Sequence, residues 1–395
     1  MENKIQIPFV ALGEEAIYKE QVIGEYKGNP YIEALPNELA KEEVIDRLIC
    51  YPSFDVNERL MAEHYRYHIV QRLFQYFQPL NIHIDLENRI SKMIRQGYVA
   101  RNPFSRGYIR GLHIGYDAIN NRNIDIINKG DFNATSNSLI VTGDSGMGKS
   151  ISINKILSLY PQVLIHSNYK GTPFSQYQVT WLKLDCRYNG SVKGLGIDFL
   201  IEIDNVLGTN YYKKVNSPVN IMLPAICQIA RRSGLGILVI DEIQNLFLAR
   251  NAEIEEMLNF FDTFINAIGV PVILIGTNKI ITVLQNQMIE VIDSQEYISL
   301  DRIKSEKEPS WLIFTDMLFE YQWVKEPSKQ NEKLRHVLYE ESQGILDIAI
   351  KIFVMAQVKA IATGREEITP NLIRHIGKEN LKLVKPVLNK DRMIL

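Results

Sequence analysis

Eight consecutive residues, Gly143-Asp144-Ser145-Gly146-Met147-Gly148-Lys149-Ser150, fit the pattern G-x-x-x-x-G-K-[ST] at every fixed position. The apolar run Ser138–Thr142 precedes them, and Ile151, Ile153, Ile156 and Leu157 follow at helical spacing. A strand, a glycine-rich turn and a helix in that order form a phosphate cradle. The glycines let backbone N–H groups of Gly143 to Ile151 converge on phosphate oxygens, and the new helix adds the positive end of its dipole. Lys149 can reach the terminal phosphates, and the Ser150 hydroxyl can hold Mg²⁺. The chemistry expected is binding of ATP or GTP.

A second run, Gly236-Ile237-Leu238-Val239-Ile240-Asp241-Glu242, lies about ninety residues further on. A buried strand ending in two carboxylates can deliver Asp241 to the metal and Glu242 to the water that attacks the γ-phosphate. Val270–Gly276 is a further apolar strand, ending at Thr277 and Asn278. Either of these side chains can orient that water. A cation to offset charge in the transition state is expected as well, often from a neighbouring subunit. Arg302 is one candidate, with Arg250, Arg231 and Arg232 as others. Arg187, Lys193, Lys213 and Lys214 fall in loops and helix starts, where they can contact DNA phosphates or simply form a solvated face.

The elements that must position these residues alternate. Val163–His166, Val179–Asp185, Gly234–Asp241 and Val270–Gly276 read as strands, with helices over Ser191–Val206, Asn220–Arg232 and about 253–268. Apolar strands separated by helices predict an open parallel α/β sheet. Ser167–Gln178 reads as a polar, turn-rich insert and Gly208–Val219 as a polar loop. From Ser310 onward only helices are expected: Trp311–Tyr321, Asn331–Glu341, Leu346–Ala362, and one with Thr369 as cap and Pro370 at its first position. Before the sheet, residues 1–36 suggest an extended arm. Residues 38–77 suggest helices broken at Pro52, and Leu86–Arg95 another helix. Gly97–Arg110 interleaves arginines with aromatics, a pattern for a linker or for nucleic-acid contact.

Composition fits this picture. The chain has 395 residues, 46% hydrophobic and 23% charged, with net charge −2. Residues 1–50 carry ten acidic and five basic side chains, whereas 371–395 carry two and six. The three cysteines, Cys50, Cys186 and Cys227, lack metal-ligand spacing, and no apolar run approaches membrane-spanning length. A cytoplasmic protein is expected.

Several boxes then resemble one family. Asn29-Pro30-Tyr31-Ile32-Glu33-Ala34-Leu35-Pro36, Tyr76-Phe77-Gln78-Pro79-Leu80 and Gly97-Tyr98-Val99-Ala100-Arg101-Asn102-Pro103 are of this kind. So are Leu238–Leu246, Glu256–Phe261, Gly269–Thr277 and Glu341–Ile348. Together they resemble the TnsC/TniB family of bacterial AAA+ ATPases, which regulate target choice in DNA transposition. The resemblance runs from about residue 25 to 385. It implies an AAA+ P-loop fold with a parallel sheet, a C-terminal helical lid and a mostly helical N-terminal extension. It implies ATP and Mg²⁺ as cofactors, and a ring or helical homo-oligomer on double-stranded DNA, a heptamer being one option. A TniQ/TnsD-like target selector and a TnsA/TnsB-like transposase are the implied partners, with no membrane. Residues 1–109 would bind partners, 110–305 nucleotide, and 306–395 would form the lid and basic tail. Two features depart from relatives: Gln285–Ser294 contains no arginine, and Asp347 stands where many lids carry a sensing arginine. A DNA-loading ATPase of the replication-initiator type, or a nucleotide-gated scaffold with little turnover, are the alternative readings.

Overall fold

The strands range from the apolar Ser138–Gly143 (β3) and Val163–Tyr169 (β4) to the more polar Lys4–Gln6 (β1), Leu12–Glu15 (β2) and Thr172–Val179 (β5). Trp181–Asp185 (β6), Ile237–Asp241 (β7), Val272–Ile275 (β8) and Glu296–Leu300 (β9) complete the set. The computed structural model describes residues 4–6, 12–110, 113, 137–186, 191–215, 218–248, 260–261, 265, 268–278, 296–329 and 332–380. Two compact units share the chain. The first takes Met1–Ala40, Asp85–Gly143 and Lys149–Ser299; the second takes Lys41–Ile84, Asp144–Gly148 and Leu300–Leu395.

In the first unit five strands form a sheet in the order β6-β7-β8-β3-β9. β7 pairs parallel with both β6 and β8, and β8 pairs parallel with β3. Every residue of β7 and of β8 is buried, as a parallel sheet covered on both faces requires. Helices Val192–Leu207 and Val219–Arg232 cover one face, with Phe199, Ile203, Met222 and Ile226 packed on Leu182, Leu184, Leu238 and Ile240. Each such fully buried side chain stabilises the unit by roughly 1.5–3 kcal/mol. The two helices meet closely at Gly196, where an added Cβ would lie 2.5 Å from Met222 Cε.

Residues 167–178 are not a turn-rich insert. They complete β4 and form β5, which pair antiparallel across Lys170 and Gly171. Both turn residues hold positive φ, 50° and 85°, the backbone twist that a two-residue hairpin turn needs. The N-terminal residues join the same sheet, in the order β1-β2-β4-β5, because β2 pairs parallel with β4. The expected loop 208–219 contains a short helix, Tyr211–Val215. The Asp204 carboxylate accepts the N–H groups of Tyr211 at 2.7 Å and Tyr212 at 2.9 Å, which fixes that turn.

The arginine and aromatic stretch around the end of helix Asn81–Val99 divides: Tyr98, Arg101 and Tyr108 are interior, whereas Phe104, Arg106 and Arg110 are exposed. Arg101 is buried, donating from Nε to the Gly97 carbonyl at 2.6 Å and from its two terminal nitrogens to the carbonyls of Leu235 and Gly236. Tyr98 donates to Gly234 O at 2.7 Å and Tyr108 to Arg231 O at 2.8 Å. These side chains fix the turn that launches β7. Burial lowers the pKa of the Arg101 guanidinium, opposed by the Tyr98, Tyr108 and Tyr31 rings. Most of the expected helix over 253–268 lies outside the described residues.

The second unit is helical: Lys41–Leu48, Glu63–Val70, Pro309–Phe319, Glu332–Ser342, Leu346–Ala362 and Pro370–Asn380. The last begins as expected, with Pro370 first and Leu372 N–H donating to Thr369 Oγ1 at 3.3 Å. Residues 41–84 are tied to the C-terminal helices by polar side chains. Arg66, itself buried, grips Glu366 with two bonds of 2.7 Å. Trp323 donates to Glu58 at 2.7 Å and Tyr76 to Phe314 O at 2.8 Å. A fork-to-fork arginine–carboxylate pair fixes geometry as well as charge.

Candidate functional site

The phosphate loop follows directly from β3. Gly143, Gly146 and Gly148 hold φ of 142°, 82° and 81°, values that L side chains rarely adopt. Helix Lys149–Leu157 then begins at the lysine itself. Lys149 Nζ donates to the Gly143 carbonyl at 2.9 Å, so the ammonium lies folded across the loop's own base. Ser150 is half-buried in the first turn, Ser145 and Ile151 are exposed, and Met147 is buried.

Within the second unit the loop has firm partners. Arg302 binds Asp144 Oδ2 twice, from its backbone N–H at 3.1 Å and from Nε at 2.8 Å. Its Nη1 donates to Gln343 Oε1 at 3.2 Å. Asp347 N–H donates to the Gly146 carbonyl at 3.2 Å, and an added Cβ on Gly146 would lie 3.0 Å from Ile345 Cγ2. The residue standing where many lids carry an arginine thus meets the loop through its backbone, while its carboxylate pairs with Lys351 at 2.6 Å.

In the first unit β3 and β7 flank β8, and the parallel pairing brings their C-terminal ends to one edge of the sheet. Asp241 is buried there. Its Oδ1 accepts the Glu242 N–H at 2.9 Å, and its Oδ2 accepts the Lys183 ammonium at 2.9 Å. Burial alone would lower the Lys183 pKa, but hydrogen bonding to Asp241 and the charges of Asp241 and Asp185 raise it. Glu242 is exposed and sits at φ 56°, a left-handed conformation that costs a non-glycine residue about 1–3 kcal/mol and concentrates at functional sites.

Gln244 links this carboxylate to the next strand. Its Nε2 donates to Glu242 Oε2, and its Oε1 accepts the Thr277 N–H at 3.3 Å. The Thr277 hydroxyl is buried with no hydrogen-bond partner, whereas Asn278 is exposed. An orphaned buried hydroxyl is costly unless something arrives to satisfy it. Neither Lys183 nor Gln244 stands out in the sequence. The Asp241–Glu242 motif identifies only its own strand, although alternation along Trp181–Asp185 does put Lys183 and Asp185 on the face opposite the apolar Leu182 and Leu184.

The remaining candidates are scattered. Lys193, Lys213 and Lys214 are exposed, the first at the start of helix Val192–Leu207 and the others on Tyr211–Val215. Arg231 is buried and Arg232 exposed. Arg187 and Arg250 lie outside the described residues, as does Gln285–Ser294. Burial, with the Asp198 and Glu242 carboxylates nearby, pushes the Cys186 thiol up to about 12, which leaves it unreactive.

The donor set suits Mg²⁺. A carboxylate that already holds a cation and a helix-start hydroxyl are the two hard oxygens such a metal takes from protein, with phosphate and water supplying the rest. Among the described residues no group of three or more His, Cys, Asp or Glu forms a separate metal cage. No described helix is long and apolar enough to cross a membrane.

Among solved structures, the chain is similar to the Aeropyrum pernix ORC2 protein in its ADPNP-ADP complexes, with TM-score 0.42, 14% identity, and 71% of this chain and 68% of that chain covered. The Walker-type ATPase of Pyrococcus abyssi gives 0.41, 14%, 65% and 71%. The Aeropyrum pernix ORC1 protein in complex with DNA gives 0.40, 14%, 72% and 69%. A comparison with curated proteins gives no match. Residues 133–284 match the family model described as an AAA domain, a span that contains the phosphate loop, Asp241, Glu242 and Thr277. The chain therefore carries an AAA domain, a nucleotide-binding module, on an α/β P-loop AAA+ fold.

Proposed function

We propose that this chain hydrolyses ATP and, by assembling on double-stranded DNA, regulates DNA transposition between a target-selecting protein and a transposase. The observation that carries the hydrolytic part is the row Asp241, Glu242, Gln244 and Thr277 at one sheet edge, with a strained carboxylate and an unsatisfied hydroxyl. The transposition part is supported by the boxes resembling TnsC/TniB proteins. Four of them lie outside the AAA match, and two of these, at 29–36 and 97–103, meet in the structure, where Asn29 Nδ2 donates to Tyr98 O at 2.7 Å. TniQ/TnsD-like and TnsA/TnsB-like proteins are the proposed partners, and the bacterial cytoplasm the proposed location.

In this mechanism the N–H groups of Gly143–Ile151 and the Lys149 ammonium bind the phosphates. Ser150 and Asp241 hold Mg²⁺, which when bound neutralises charge on the phosphate oxygens. Glu242 takes the proton of the attacking water, and Gln244 keeps its carboxylate aimed. The Thr277 hydroxyl orients that water, with Asn278 at the rim. Arg302 supplies the offsetting cation, starting from its seat on Asp144. Lys193, Lys213, Lys214 and Arg187 contact DNA phosphates. Residues 1–109 bind partners, and 306–395 act as the lid of the nucleotide domain, 110–305.

Steady-state phosphate release, with and without duplex DNA, tests the reading. Release that Glu242→Gln abolishes is expected; full release by that variant would remove Glu242 from the mechanism. A wild-type protein that binds ATP yet releases no phosphate under either condition would instead favour a nucleotide-gated scaffold.

A further inference from the structure

The Lys183–Asp241 pair is the feature the proposed mechanism leaves unused. β6 and β7 run parallel with Lys183 beside Val239 and Asp185 beside Asp241. Side chains alternate along a strand, so 183 and 185 on one strand and 239 and 241 on the other share a face at the C-terminal edge. Lys183 Nζ lies 2.9 Å from Asp241 Oδ2 and 3.2 Å from Asp185 Oδ1.

The two acidic partners differ in environment. The Asp241 side chain is 4% exposed, Asp185 77%, and Lys183 17%. A carboxylate as buried as Asp241 is unfavourable without a counter-charge, because the one backbone hydrogen bond from Glu242 N–H offsets only part of its desolvation. Asp185 is hydrated and needs none. Lysine is a compact point charge on a flexible four-carbon stem, so it can shift between two acids that stand directly opposite each other on neighbouring strands. A divalent cation on Asp241 makes the ammonium redundant there and repels it.

We propose that Lys183 is an exchangeable counter-cation of the metal carboxylate: Lys183 and Mg²⁺ compete for Asp241, and Mg²⁺ binding transfers the ammonium to Asp185. The inference rests on the reading of Asp241 as a metal ligand. No covalent bond is made or broken; the ion pair with Asp241 is given up and the one with Asp185, already in place at 3.2 Å, is kept. Lys183 is thus a positioning residue that sets how strongly nucleotide binding depends on metal. With Asp241 neutralised by lysine, a triphosphate approaches without meeting a bare carboxylate. With Mg²⁺ present, the same lysine weakens metal affinity.

The test is the affinity for the non-hydrolysable analogue AMPPNP, measured by titration calorimetry on the full chain in Mg²⁺ and in EDTA, and expressed as the ratio of the two dissociation constants. Lys183→Met is expected to weaken binding in EDTA and strengthen it in Mg²⁺, widening the ratio by at least about tenfold. Lys183→Arg, which keeps the charge, should stay near wild type. Asp185→Asn alters only an exposed side chain and leaves Lys183 no second seat, so the ratio should narrow by about threefold; this arm decides the matter if Lys183→Met does not fold. Asp241→Asn separates the two levels. If it leaves the ratio unchanged, the metal reading of Asp241 is wrong. If it collapses the ratio while both Lys183→Met and Asp185→Asn match wild type, Asp241 holds metal but the exchange is refuted.

Discussion

Arg302 is bonded twice to Asp144, the second residue of its own phosphate loop, at 3.1 Å and 2.8 Å. An arginine that the sequence suggests as a free cation is thus part of the loop's local framework, with Gln343 as its third partner. Both side chains are mostly buried, so the pair is screened less than a surface bridge. Arg302→Ala and Asp144→Asn are each expected to cost about 1.5–3 kcal/mol of stability, and the double variant no more than the costlier single one. Chemical denaturation of the four proteins checks this. Costs that simply add would mean the two residues act independently.

Gln244 is expected to act through Glu242. Gln244→Ala should lower kcat for phosphate release roughly tenfold, less than the 10²–10⁴ associated with loss of a general base, and leave nucleotide affinity unchanged. Gln244→Asn, which shortens the bridge without removing the amide, should fall between. A matching loss of affinity would make Gln244 part of the binding surface instead.

Acid sensitivity follows from His166, which is buried between Tyr18 and Gln178 at 2.8 Å from each. Burial, only partly offset by the Gln178 hydrogen bond, lowers its pKa from 6.5 to about 4. The unfolded chain therefore takes up this proton first. The stability of the neutral imidazole is complete above pH 6.5 and is lost as pH falls toward 4, by up to about 3 kcal/mol. In His166→Gln that part of the loss should vanish. Equal slopes of stability against pH for variant and wild type would show that His166 is not the group responsible.

The exposed lysines carry a salt prediction. Lys193→Ala and the Lys213→Ala/Lys214→Ala pair should weaken duplex binding for all sequences alike. The slope of log affinity against log salt should fall by about one for each phosphate that the variant no longer neutralises. Fluorescence anisotropy at several salt concentrations measures it. An unchanged slope would return these lysines to an ordinary solvated face.

The legible parts are those written in contiguous residues. Gly143–Ser150 declares its turn, and Leu346–Ala362 its apolar stripe. Asp241 and Glu242 declare the end of a buried strand. The rest depends on partners far away in sequence. Thr172–Val179 is too polar to read as a strand, and becomes one because Lys170 and Gly171 turn it onto Val163–Tyr169. Arg101 resembles a surface cation in the sequence, yet three carbonyls enclose it. Residues 41–84 cluster with residues 300–395 through pairs such as Arg66 and Glu366, three hundred positions apart. Lys183 and Gln244 gain their meaning from strand register and from one side-chain bridge, neither of which a linear motif encodes.

Electron microscopy of the protein with AMPPNP, Mg²⁺ and duplex DNA, run beside Lys149→Ala, addresses the central claim most directly. The mechanism predicts ordered rings or filaments for the wild type and none for Lys149→Ala, whose loop lacks the ammonium proposed to bind the phosphates. Nucleotide-dependent assemblies formed equally well by Lys149→Ala would contradict it.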